Sequence, residues 1–71
     1  MDLNKVQLGQ KYIVDSINTN DEELNSFLFS LGCYSGAPIA VISRRPGGCI
    51  VAIKDGRYNM DRRLAGAITV A

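Results

Sequence analysis

Residues 24–36, LNSFLFSLGCYSG, carry the reading that decides the fold. Leu24, Phe27, Leu28 and Leu31 recur at i, i+3, i+4 and i+7, the spacing that lays one apolar stripe along an α-helix. Just upstream, Asn18-Thr19-Asn20 reads as a turn. Thr19 with Glu22, or Asn20 with Glu23, fits a capping box, and Asp21, Glu22 and Glu23 sit where the helix dipole favours negative charge. Gly32 supplies a left-handed stop, and Gly36 marks a second turn. The spacing predicts one short helix near residues 21–31, with Phe29 off the stripe on the opposite side.

Outward from this helix the pattern changes to alternation. Lys11–Ile17 reads as a strand, with Ile13 and Ile17 as the inward pair and Tyr12 and Val14 on the other face. Residues 6–10 read as a glycine-turn loop anchored by Leu3, Val6 and Leu8. After Gly36, Ile39 and Val41 alternate with Ala40 and Ile42 in a strand that runs to Arg44. Arg45-Pro46-Gly47-Gly48 has hairpin turn chemistry. Cys49 to Lys54 returns as a strand apolar on both faces, and Asp55-Gly56 reads as a tight turn. Arg57 to Asp61 is a strand with Tyr58 and Met60 inward. Residues 62–66 make one helical turn, and Ala67 to Val70 closes the sheet with Ile68 and Val70 inward. Five short strands and one inserted helix predict an all-β chain, a small barrel whose open end the helix covers.

Length and composition narrow the function classes. A chain of 71 residues has room for one domain. The apolar share of 46% fits a packed globule. No apolar run approaches the roughly 20 residues that span a bilayer, and residues 1–5 lack a signal-peptide layout, so the expected location is cytoplasmic. The net charge of +1 is unevenly placed, −3 over residues 1–36 and +4 over residues 37–71, where all five arginines lie.

Reactive chemistry is sparse. The chain has no histidine, the commonest general base and metal ligand. Cys33 and Cys49 are too few and too far apart for a disulfide framework or a zinc motif, and they read as reduced, small apolar side chains. Gly47-Gly48 lies in a hairpin and not between a strand and a helix, so it is no phosphate loop. Asp55 and Asp61 sit at a turn and a strand end and do not form a catalytic pair. The expectation is a non-enzymatic domain with no cofactor and no metal site.

Two groups of side chains stand out as candidate contacts. Phe29 and Tyr34, near the helix end, either cap the open end of the barrel or form a docking patch, because aromatics are enriched at interface hot spots. Arg44 and Arg45 at the hairpin, and Arg62 and Arg63 at the last turn, are either a solvated face or a basic patch for an acidic surface. Nucleic acid is not expected, since only Tyr58 lies near these arginines and the net charge is small. Self-association through a free edge strand stays open.

The order of these signals resembles the FeoA family of bacterial ferrous iron uptake. Leu8-Gly9-Gln10, Leu28, Leu31-Gly32, Gly36, Ile39, Val41, the Pro46–Gly48 loop, Ile50–Ile53, Tyr58-Asn59-Met60, Ala65, Ile68 and Val70 carry the resemblance over essentially the whole chain. It implies an SH3-like barrel with a helix inserted after the first long strand. It implies a cytoplasmic accessory protein that docks on a membrane ferrous iron transporter with a G-protein-like domain. The same domain type resembles the C-terminal module of iron- and manganese-dependent regulators, which implies as the alternative a regulatory module binding a peptide or a transition metal ion. Two positions depart from the family pattern: Cys33 stands where an aliphatic residue is usual, and Asp61 where a basic one is common.

Overall fold

A computed structural model describes residues 1–71. In chain order it has β1 (Lys11–Ile17), α1 (Glu22–Leu31), β2 (Pro38–Arg45), β3 (Gly48–Ile53), β4 (Gly56–Asp61), α2 (Arg62–Ala67) and β5 (Ile68–Val70). The strands form one antiparallel sheet in the order β4-β3-β2-β1-β5. The sheet bends where the register shifts between Val14 and Ser16 and between Val41 and Ser43; an extra residue at such a shift raises local twist and curvature. The bent sheet encloses one cluster of 15 buried residues centred on Val14, Ile39, Val41, Val51, Ile53 and Ile68.

The barrel is closed by ladder pairing everywhere except between β4 and β5, which α2 joins without a ladder. The outer edge of β5 is covered by the chain's own start. Asp2 bridges Thr69, and the Val70 N–H donates to the Met1 carbonyl at 2.7 Å. Leu3 and Val6 then enter the core.

Several sequence expectations change in detail. On β1, Tyr12 and Val14 face inward, while Ile13 is 46% exposed. Tyr12 can be buried because its hydroxyl accepts from the Gln7 N–H at 3.1 Å, which satisfies its polar tip. Ile17 does pack on the core, because the register shift after Val14 resets the alternation. Leu8 does not anchor the opening loop and is 52% exposed; the Gly9 N–H ties the loop to the Val41 carbonyl instead, at 2.8 Å.

The helix start and its buried stripe also differ. The N-cap of α1 is Asp21, whose carboxylate accepts from the Leu24 N–H at 3.0 Å. Thr19 stands outside the helix, its hydroxyl accepting from the Asp21 N–H. The stripe is narrower than its spacing implied. Leu28 is fully buried, Leu24 packs half-buried, and Phe27 is 58% exposed. The second tight turn is Lys54-Asp55, with Lys54 at φ 52, and Gly56 already pairs with Ile53 in β4.

Candidate functional site

α1 is about 15 Å long at ~1.5 Å per residue, and its two ends meet different parts of the barrel. From its start and the preceding turn, Asn18, Thr19, Asn20 and Leu24 line a groove with Asp61, Arg63, Leu64 and Ala67 of the α2 region. Its end reaches the β3–β4 turn. Gly32 takes φ 98 as the C-cap, donating its N–H back into the last turn of the helix. A side chain here would be strained by that φ, and its Cβ would also fall 2.8 Å from the Lys54 side chain. The glycine thus lets Lys54 lie across the helix end.

Around that crossing stands a small exposed cluster. The Phe29 and Tyr34 rings meet with centroids 5.0 Å apart and planes tilted by 38°. The Lys54 ammonium lies 5.8 Å from the Tyr34 ring centroid, at the limit of a cation–π contact. Phe29 remains 65% exposed, so the pairing holds its ring without hiding it. Tyr34 is half-buried between helix and loop. The following chain is fixed to β1, with the Gly36 N–H donating to the Val14 carbonyl at 2.8 Å and the Ser35 hydroxyl to the Asp15 carbonyl at 2.9 Å.

The arginines lie elsewhere. Arg45 pairs with Gly48 at the β2–β3 turn, while Lys54 follows the far end of β3. Six residues of strand separate the two turns, roughly 17–20 Å at the usual rise. The six candidate residues therefore do not form one patch. Phe29 and Tyr34 come together at one end of the barrel, with Lys54 as a neighbour that the sequence does not single out. Its only signal is its place in a turn after β3, and nothing local ties that turn to the helix.

The four arginines are also unequal. Arg44 is committed to structure: its guanidinium donates to the Leu3 carbonyl at 3.0 Å and the Val6 carbonyl at 2.6 Å, holding the opening loop. Arg62 meets the β2–β3 turn through its backbone, its N–H donating to the Gly47 carbonyl at 3.1 Å. Arg45 and Arg63 are exposed, Arg45 over a shallow hollow with Asn59 and Asp61, and Arg63 on the groove beside α1. Asp61 is the N-cap of α2 and accepts from the Leu64 N–H at 2.7 Å.

Both cysteines are buried free thiols. Burial pushes the Cys33 thiol up from its ordinary value. It does the same at Cys49, opposed by the nearby Arg44 charge. A buried neutral thiol is a poor nucleophile and a poor ligand. No three Cys, Asp or Glu side chains converge into a group able to hold a metal ion. No helix is long and apolar enough to cross a membrane.

A five-stranded SH3-like barrel with a helix inserted between β1 and β2, presenting a fixed aromatic pair, defines a small SH3-like module. A family model of the FeoA domain matches residues 1–71, and the chain belongs to the FeoA family. An iron uptake regulatory protein (FeoA) of known structure is 30% identical, with a TM-score of 0.82 over 99% of this chain and 93% of that one. The FeoA protein of Chlorobium tepidum is 28% identical, with a TM-score of 0.86 over 99% of this chain and 68% of that one. FeoA of Stenotrophomonas maltophilia, solved with zinc and described as a prokaryotic SH3 domain protein, is 18% identical with a TM-score of 0.83, over 100% and 89% of the two chains. At that identity the likeness shows the fold. No curated protein matches.

Proposed function

We propose that this chain is a cytoplasmic accessory protein of bacterial ferrous iron uptake. It docks on the cytoplasmic region of a membrane ferrous iron transporter that carries a G-protein-like domain, and it modulates that transporter. Iron(II) is the cargo of the transporter in this reading. Family membership supports the pathway. The observation that carries the docking reading is the Phe29–Tyr34 pair, two aromatic rings fixed against each other with Phe29 left 65% exposed. An aromatic anchor already ordered before binding loses little conformational entropy on contact, the behaviour expected of an interface hot spot. Phe29 and Tyr34, with Lys54 beside them, form the central contact. Arg45, Arg62 and Arg63 at the opposite end form an outlying basic surface that steers an acidic partner, while Arg44 acts from within by holding the opening loop.

Isothermal titration of the purified cytoplasmic region of the transporter tests this, with and without anaerobic ferrous iron. Saturable binding that is indifferent to iron is the expected result. Absence of binding overturns the proposal. A second reading is an SH3-like regulatory module of a metal-dependent system, binding a peptide or a transition metal ion. It is favoured by the likeness to a manganese-dependent transcriptional repressor, 25% identical with a TM-score of 0.85 over 100% of this chain and 40% of that one. Iron binding by this chain alone, with no transporter binding, supports that second reading.

A further inference from the structure

The two sheet edges are treated differently. The chain's own start occupies the outer edge of β5, whereas β4 has β3 as its only neighbour. The two-residue Lys54-Asp55 turn closes on the pair Ile53 and Gly56. In a two-residue hairpin that closing pair exchanges both hydrogen bonds, and bonded and non-bonded pairs then alternate. Gly56, Tyr58 and Met60 accordingly turn their backbone groups toward β3. Consistent with this, a Cβ on Gly48 would run into the Met60 carbonyl, which points across the ladder. Arg57, Asn59 and Asp61 turn theirs outward. None of the backbone bonds made by loops, turns and caps reaches the N–H of Arg57 or Asn59. β4 has no proline and no register shift against β3, the usual devices that blunt an edge.

We propose that β4 pairs with the β4 of a second copy of this chain, antiparallel and centred on Asn59. Residues opposite one another then have numbers that are mirror images about 59. Arg57 of each copy faces Asp61 of the other, so two cross-strand ion pairs form on the exposed face. Asn59 meets its own equivalent on the two-fold axis. On the inner face Tyr58, half-buried, stands opposite Met60 of the second copy, whose side chain stays in its own core. Asp61 has an oxygen to offer, because its α2 cap uses Oδ1 alone.

The charges also select the register. A shift of two residues one way sets Asp55 opposite Asp61 of the other copy. A shift the other way sets Asp61 against Asn59 and carries Arg57 past the end of the partner strand. Charges of a single sign along an edge repel a second strand; opposite charges placed symmetrically about its midpoint attract one. The transporter contact proposed above centres on the Phe29 end of α1, so sedimentation of the chain alone reads this pairing separately from it.

Sedimentation of the whole chain over micromolar to millimolar concentration tests the pairing. The average mass is expected to rise from 7.7 kDa toward twice that value. Arg57→Glu alone, which sets like charges opposite each other twice, weakens the association by roughly tenfold or more. Asp61→Arg alone does the same. An equimolar mixture of the two variants recovers it, since the introduced glutamate then faces the introduced arginine and the remaining native Arg57 faces the remaining native Asp61. Because Asp61 caps α2, circular dichroism checks the Asp61 variant for folding; if it fails to fold, Arg57→Glu carries the result. A mass fixed at 7.7 kDa throughout, an Arg57→Glu chain that associates like the wild type, or a mixture of folded variants that fails to recover overturns the proposal.

Discussion

The two ends of the β2–β3–β4 meander use their polar side chains in opposite ways. At the β2–β3 turn, charge is abundant but partly tied down: Arg44 holds two carbonyls of the opening loop and Asp61 caps α2. At the β3–β4 turn Lys54 lies over Gly32 and beside the Tyr34 ring, which in turn meets Phe29. The end richest in arginine commits part of its charge to its own fold. The end with the less conspicuous sequence leaves a fixed, exposed aromatic surface. Counting charges along the chain gives the total and says nothing of how many remain available to a partner.

Substitutions at each end separate these roles. The largest effect is expected at Leu28, the one side chain of α1 fully buried in the core. Leu28→Ala should cost about 3 kcal/mol in urea unfolding and detach the helix that carries Phe29. Next comes Arg44. Arg44→Ala leaves the Leu3 and Val6 carbonyls without their donor and should cost about 2 kcal/mol. Arg45→Ala, one residue on, should stay within about 0.5 kcal/mol of wild type. Equal effects at Arg44 and Arg45 would erase the contrast between structural and free arginine.

Gly32→Ala should cost about 1 kcal/mol, because φ 98 strains any L side chain. The collision with Lys54 adds little, since that flexible side chain can move away. Its more telling outcome is local: loss of the Lys54–Tyr34 contact, read as a change in Tyr34 ring shifts by NMR.

The smallest effect concerns pH. Both thiols are raised by burial, so the folded chain holds its thiol protons to higher pH than the unfolded one. Their contribution to stability is complete below the unfolded thiol value, roughly pH 8.5, and is lost as pH rises through the folded values. Thermal melts across that range should show the fall, and Cys33→Ala should flatten it.

Much of the fold is legible in the sequence. Gly32, the hairpin at Pro46-Gly47 and the alternation of Ile39 with Val41 are local signals that local geometry obeys. The inward face of β1 is not, because two isoleucines outweigh a tyrosine in the pattern. The partner that lets Tyr12 be buried, the Gln7 N–H, lies in a loop outside the strand. The cap of α1 is Asp21 and neither Thr19 nor Asn20, since several neighbouring residues can cap and only the chain's path decides which one does. The candidate site is legible by residue type and not by grouping. Phe29 is visible as an aromatic off the stripe. That Lys54 joins it, and that the arginines sit a strand length away, depends on contacts between positions far apart in the chain.

In the proposed function, the Phe29 end of the helix makes the docking contact with the transporter. The most direct test is a parallel calorimetric titration of the transporter's cytoplasmic region into wild type, Phe29→Ala and Arg63→Ala chains. Both substitutions lie on exposed side chains and should leave folding intact. Phe29→Ala should weaken binding by roughly thirtyfold, the size of a hot-spot loss, and Arg63→Ala by no more than about threefold. Unchanged affinity for Phe29→Ala, with a large loss for Arg63→Ala, would contradict the account and move the docking surface to the arginine end.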